Sequence, residues 1–335
     1  MPERRRSNVA GDGTRGGTTE GLTGAYIKLF LAPVLWGGSL VAGRIVTVGL
    51  PPFTITWVRF VLVTIFLLPV LRFSEGRLVR PTWSDLAFII ALSLTGVVLF
   101  NYFLFAGLRT VTAVRSGVLI ALSPAVVALI LWVFFRETVG GLGALGIVVA
   151  FLGAIVTITE GNIARAVAGG VSPGDFLLLG AVLAWSVYTI TARYAMRRLT
   201  PLAVLTWSSA AGALLLTPVA AAERAIAAIL AQPMVTWIAI LYLSFGAAGL
   251  AYLWYYEGIK RVGASEAAIF LNLEPAAALI LGAVILQEAV TLPVLIGAVL
   301  VLIGMYLVNR PRKERSPRVA RPVSGPPPEP TRTDP

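Results

Sequence analysis

The chain has 335 residues, 57% of them apolar and 13% charged, with a net charge of +11 and neither cysteine nor histidine. The missing cysteines exclude a disulfide framework. Without Cys and His there is no zinc or copper site built on them and no histidine proton relay. The basic balance reads as the Lys and Arg that cytoplasmic loops of membrane proteins collect, so neither nucleic acid nor a metal or other cofactor is expected.

A soluble domain carries about 25% charged residues. Here apolar runs of 18 or more recur along the whole length, each long enough to span a hydrocarbon core of about 30 Å. In chain order, residues 1–24 are polar and Gly/Thr-rich, with Arg4, Arg5, Arg6 and Arg15. The segment up to residue 27 is predicted to be a disordered cytoplasmic arm. The apolar run after it is too long for a signal-peptide core and reads as a first span. Ten spans are predicted, over 28–48, 54–71, 84–107, 112–134, 141–159, 174–194, 202–222, 235–256, 265–286 and 291–309. Turn chemistry separates them, as at Pro51-Pro52, Gly140-Gly141, Ser172-Pro173-Gly174 and Gln232-Pro233. Residues 310–335, rich in Pro, Arg and Ser, read as a disordered basic tail.

Orientation follows from charge. With the N-terminus inside, inner segments hold 21 of the 27 Lys and Arg, and outer loops hold Arg109, Arg115, Arg165 and Arg224. The expectation is a multi-pass protein of the cell (inner) membrane with both termini cytoplasmic.

Leu108–Ile158 aligns on Ile259–Asn309 without a gap at an offset of 151. Pro124/Pro275, Glu137/Glu288, Gly146/Gly297 and Gly153/Gly304 then coincide, and Trp36/Trp185, Pro51/Pro201 and Trp57/Trp207 match at nearly the same offset. The repeat unit is five spans, 28–159 and 174–309. Five is odd, so the second copy enters the membrane inverted. Such repeats recur in secondary transporters, with a substrate site near the midplane and halves that rock around it. The fold class expected is therefore an all-α integral membrane protein of ten helices in two inverted five-helix repeats.

Ionisable groups inside the hydrocarbon are functional candidates by default. Glu274 lies nine residues into the ninth span, about 14 Å deep at 1.5 Å per residue. Pro275 follows it and Asn272 precedes it. Its repeat counterpart is Ser123-Pro124, so spans four and nine should both break at their prolines and face each other. Glu274 could bind a substrate amine, carry a proton or pair with an arginine. Arg59 could reach towards it or hold a substrate carboxylate. Arg44 reads better as snorkelling to the interface. Glu137 and Glu288 close matched spans and suggest a shared architectural job. Glu257 and Glu266, beside Lys260 and Arg261, read as an interfacial charge cluster or a gate. Trp36, Tyr102, Trp185, Tyr188 and Tyr252 could line a cavity or serve as packing. Gly37-Gly38 would loosen span one, and the four repeated glycines would let helices approach closely.

With these residues the chain resembles the drug/metabolite transporter superfamily, EamA type. The likeness covers all ten spans and rests on Trp36-Gly37-Gly38-Ser39, Arg59-Phe60, Ser123-Pro124 with Trp132 and Glu137, and Leu273-Glu274-Pro275 with Glu288, Gly297 and Gly304. It implies inverted five-helix repeats and movement of small metabolites, often amino acids or related compounds, commonly outward. Members often show Trp-Gly-Ser-Asn in span one; here a second glycine precedes Ser39 and the asparagine is missing.

The function expected is alternating-access transport of a small organic metabolite, with a central cavity between spans 1–4 and 6–9. Spans five and ten would brace the halves. Partners expected are the substrate, the lipid bilayer and protons through Glu274; a homodimer stays open. A flippase for an amphiphilic or lipid-linked substrate is the alternative. A membrane-embedded enzyme is the weaker rival, because the spans hold no Asp-x-x-Asp cluster, His or Cys.

Overall fold

The computed structural model describes residues 16–76, 81–162, 164 and 170–309. The chain before residue 16, the tail from 310, and Arg77, Arg80 and Arg165 lie outside these residues. Ten helices are long and apolar enough to cross a membrane, and no strand occurs among the described residues. They are α1 (Gly16–Val46), α2 (Pro52–Ser74), α3 (Trp83–Leu108), α4 (Ala113–Phe135), α5 (Gly141–Thr159), α6 (Pro173–Ala195), α7 (Pro201–Ala222) and α8 (Met234–Val262). Then come α9, in pieces α9a (Ala264–Phe270) and α9b (Leu273–Ile285), and α10 (Leu292–Asn309). The face where α1 begins and α10 ends is the terminal face; the opposite one is the distal face.

Helix starts carry their own chemistry. Thr82 caps α3 and Ser172 caps α6, each in a reciprocal box with an aspartate three residues on, Asp85 and Asp175. Proline opens α2, α6 and α7, where its missing N–H costs nothing. The one large boundary difference is α1. It begins at Gly16, so residues 16–27 are helical rather than part of a disordered arm. No proline interrupts Gly16–Leu31, and the helix runs on past the apolar stretch.

The inverted repeat is visible as matched irregularities. Spans four and nine break just before their prolines: α4a (Ala113–Ile120) turns at 121–122 into α4b (Ser123–Phe135), and α9a turns at 271–272 into α9b. A proline one or two residues into a helix cannot donate to the turn before it. Arg136 and Gln287, also 151 apart, both sit in the left-handed region at φ 53°. Each delivers the next residue, Glu137 or Glu288, whose N–H reaches back to Leu131 O at 3.1 Å or Gly282 O at 3.3 Å.

A third match carries no signal in apolar periodicity. Ser93–Leu99 in α3 and Tyr242–Leu250 in α8 are π-helical. Ser93 and Ser244, offset by 151, both turn their hydroxyls back four residues, to Ile89 O at 2.7 Å and Ile240 O at 2.8 Å. Wide π turns are rare and cluster at functional sites.

α5 and α10 pack tightly through glycines, as their sequence pattern suggests. A Cβ on Gly153 would lie 2.7 Å from Gly297 O, and one on Gly304 would lie 2.6 Å from Gly146 O. Gly37-Gly38 does not loosen α1, which is continuous through both. A Cβ on Gly37 would sit 2.5 Å from Glu274 O and 2.7 Å from Ala278 N, so the glycine lets α9b lie directly on α1.

Candidate functional site

Two buried elements of the second repeat and two of the first converge on one polar cluster. Arg59, on α2, is buried. Its Nη1 donates to Asn101 Oδ1 at 2.8 Å and its Nε to Leu243 O at 3.2 Å. Asn101, also buried, donates its amide to Gly96 O at 3.0 Å and Val97 O at 2.9 Å. The π segments thus offer side-chain donors carbonyls that regular α-helix would keep. Leu243 O takes Arg59, Ala247 O takes the Trp36 indole N–H at 2.9 Å, and Gly96 and Val97 take Asn101. The Arg59 guanidinium, which also lies 5.5 Å over the Phe60 ring, forms no ion pair among the described residues.

Tyr252 of α8 lies within electrostatic reach of Arg59, Glu274, Tyr188 and Tyr256. The Trp36 ring stands edge-on to Tyr252 at 5.0 Å and to Tyr255 at 5.4 Å. Glu274, Tyr252 and Tyr256 are surrounded by protein, yet all three keep accessible surface. The Glu274 carboxyl makes no hydrogen bond or ion pair to any described residue.

The other predicted residues divide between this cluster and packing. The Tyr188 ring lies against Gly96 and stacks on Trp185 at 5.0 Å, so both α6 aromatics wall the cluster beside α3. Trp36 belongs to the wall, with its indole N–H already held. Ser123 does not offer its hydroxyl to the cluster: it donates to Ile120 O at 2.6 Å across the helix break. Tyr102 stacks on Phe53 at 4.6 Å and stands tilted against Phe103 at 5.6 Å instead of joining. Asn272 caps the break before α9b, donating to Ile269 O at 2.9 Å, and its Oδ1 is buried without a partner. Arg44 is half-buried and donates to Leu108 O, at the end of α3.

The two faces differ. On the distal face, Gly117 of α4a lies against Ala278 of α9b, with a Cβ there 2.6 Å away. Glu288 accepts the N–H of Ala113 at 2.9 Å and of Val114 at 2.9 Å. Arg115 joins Asp175 at 2.7 Å, Glu160 at 3.2 Å and Ile158 O at 2.6 Å. Glu223 accepts from Thr54 Oγ1 at 2.7 Å and Thr54 N at 3.0 Å. On the terminal face the symmetry-related helices, α4b and α9a, make no comparable contact. Glu137 pairs there with Arg193 at 2.9 Å, both half-exposed. Glu257 holds Lys28 at 2.6 Å and Arg261 at 3.7 Å, and Tyr26 donates to Glu266 at 3.1 Å. Those pairs are exposed and form an interfacial charge cluster. The ends of spans four and nine are therefore bonded to each other across the repeats on the distal face, and no such bond joins them among the described residues on the terminal face.

Sequence reasoning missed Asn101 and Asp175. Asn101 stood in an apolar run 151 residues before Tyr252, which was signal enough. Asp175 looks like an ordinary capping aspartate in sequence; only the fold brings Arg115 to it.

Comparison with known proteins bears on the identity of this arrangement. The model of the EamA-like transporter family matches twice, over residues 23–159 and 172–310. An uncharacterized transporter of Bacillus subtilis (strain 168), YyaM, is 30% identical over 85% of this chain and 93% of its own length. A second from the same strain, YetK, is 27% identical over 87% of this chain and 88% of its own. A "Probable terminal-alkyne amino-acid exporter" of Streptantibioticus cattleyicolor is 26% identical over 86% and 94%. A solved crystal structure shares the fold with a TM-score of 0.55 at 21% identity, over 85% of this chain and 96% of that one. The two matched halves, the ten helices and these relatives together make the chain a multi-pass membrane transporter that belongs to the EamA-like family.

Proposed function

We propose that the transporter exports a small organic solute carrying both an anionic and a cationic group, an amino acid or related compound, by alternating access. One observation carries the reading: Arg59 is 9% exposed and has no carboxylate partner among the described residues. A buried cation without a counter-charge is costly. A substrate carboxylate would supply that charge and accept from the guanidinium fork. Across the cluster, Glu274 would take the substrate amine or, between substrates, a proton. Trp36, Tyr188, Tyr252 and Tyr256 would enclose the rest of the solute.

Proton exchange at Glu274 would couple export to an inward proton gradient. The terminal face would be cytoplasmic, in agreement with the Lys and Arg distribution, so the cluster would load from inside. The relative named as an amino-acid exporter supports the substrate class. The flippase alternative wants basic residues in a laterally open groove. Arg59 is instead enclosed by α2, α3 and α8, and Arg44 is bonded to Leu108 O, which favours a polar solute.

Counterflow in proteoliposomes tests this. Zwitterionic amino acids should compete for exchange, and their methyl esters and N-acetyl derivatives should compete at least ten-fold less well. Equal competition by the esters, or competition by amphiphiles alone, would refute it.

A further inference from the structure

The glutamates that close spans four and nine stand outside the polar cluster and occupy matched positions in the repeat. Each follows a left-handed residue, Arg136 or Gln287, at φ 53°. Each N–H reaches back six residues, to Leu131 O or Gly282 O. A non-glycine residue at positive φ is uncommon and needs surrounding structure to hold it. The same uncommon turn thus presents a carboxylate at each end of the bundle.

Their side chains do different things. Glu288 grips the first turn of α4a with both oxygens, 2.9 Å from Ala113 N and 2.9 Å from Val114 N. It is therefore bonded across the repeat interface, where α9b meets α4a, and it closes the distal face. Carboxylates are favoured at such first turns, where backbone N–H groups lack helical partners. The corresponding positions for Glu137, offset by 151, are Ala264 and Ser265 at the start of α9. Gly263, which stands at the cap of that turn, has no side chain to offer it. Glu137 is instead held by Arg193 at the end of α6, and both side chains are about half-exposed, 45% and 55%.

We infer that Glu288 is the latch of the distal gate and Glu137, its inverted counterpart, the latch of the terminal gate, the two engaging in alternation. In the state seen here Glu288 is engaged and Glu137 is parked on Arg193. Passage to the opposite state releases Glu288 from α4 and lets Glu137 take the start of α9. Exchanging one carboxylate–backbone contact for its twin keeps the two states close in energy, as a transporter requires. The inference rests on the alternating-access reading.

The test uses distance measurements between spin labels in the full chain, which has no native cysteine to interfere. Thr110→Cys with Ala289→Cys spans the distal gate; Lys260→Cys with Thr138→Cys spans the terminal gate. The wild type should show two distances at each gate, with the short one dominant distally. Glu288→Gln should shift both pairs towards the distally open state, by roughly ten-fold, the scale of one lost helix cap. Glu137→Gln should shift both the opposite way. Glu137 is exposed, so this variant does not threaten folding and tests the inference even if Glu288→Gln fails to fold. Unchanged distributions in Glu137→Gln, or shifts of both variants in one direction, would overturn the latch while alternating access stands. A wild type with one distance at each gate that no substrate alters would overturn both.

Discussion

The distal and terminal ends of this bundle are built from the same repeat, and they are closed to different degrees. At the distal end α4a lies on α9b at glycine distance, and buried charges lock the corner where α4, α5 and α6 meet. At the terminal end the symmetry-related α4b and α9a stand apart, and the charges present are paired on the surface. Two copies of one sequence pattern therefore hold two conformations at once. An inverted repeat makes this possible: what one half does at one face, the other can do at the opposite face.

The sharpest way to break the comparison is the buried pair. Asp175 is fully buried, and Arg115 is its charge partner at 2.7 Å. Arg115→Ala leaves that carboxylate without a counter-charge, held only by the Ser172 N–H at 3.1 Å, and should destabilise the protein by about 3–5 kcal/mol, read as thermal unfolding in detergent. Arg193→Ala removes an exposed pair at the terminal face and should cost no more than about 1 kcal/mol. Similar losses for the two would mean that the faces are not as unlike as described.

Packing gives the next effect. Gly153→Val puts methyls where Gly297 O already lies at 2.7 Å from a Cβ. It should cost about 1–3 kcal/mol through overpacking of α5 on α10. Gly140 has open space around its Cβ, and Gly140→Ala should leave stability within about 0.5 kcal/mol.

At the centre the effects concern transport more than stability. Glu274→Gln should keep the fold, weaken the exchange of substrate for substrate through loss of the charge that takes its amine, and abolish acceleration of export by an inward proton gradient. Asn101→Ala removes the acceptor that holds Arg59 at 2.8 Å and should raise the half-saturating substrate concentration about ten-fold, the worth of one charged hydrogen bond. Tyr242→Phe loses one bond to Leu35 O at 2.9 Å, worth about 1 kcal/mol.

Much of this fold was legible because its signals are local and doubled. Pro124 and Pro275 stand at the two helix breaks, and an offset that aligns them with two glutamates and four glycines leaves one register. The glycines of α5 and α10 were legible as sites of close helix contact, but not that the two helices meet each other. The π segments were not legible: their wide turns depend on which side chains from other helices claim the spare carbonyls. Trp36 and Arg59 do so from α1 and α2, far away in the chain. For the same reason the sequence could name Arg59 as a candidate but not its partners Asn101 and Leu243. Ser123 and Tyr102 were plausible by type. Ser123 instead closes its own helix break, and Tyr102 finds Phe53. Arg115 looked like a loop charge because Asp175 lies 60 residues away.

The central claim is that the polar cluster is shut towards the distal face and approached from the terminal one. Asn272→Cys, at the break beside Glu274, tests it with a membrane-impermeant maleimide applied to sealed vesicles of both orientations. Without substrate, labelling should be fast from the terminal face and at least ten-fold slower from the distal face. Faster labelling from the distal face would contradict the account.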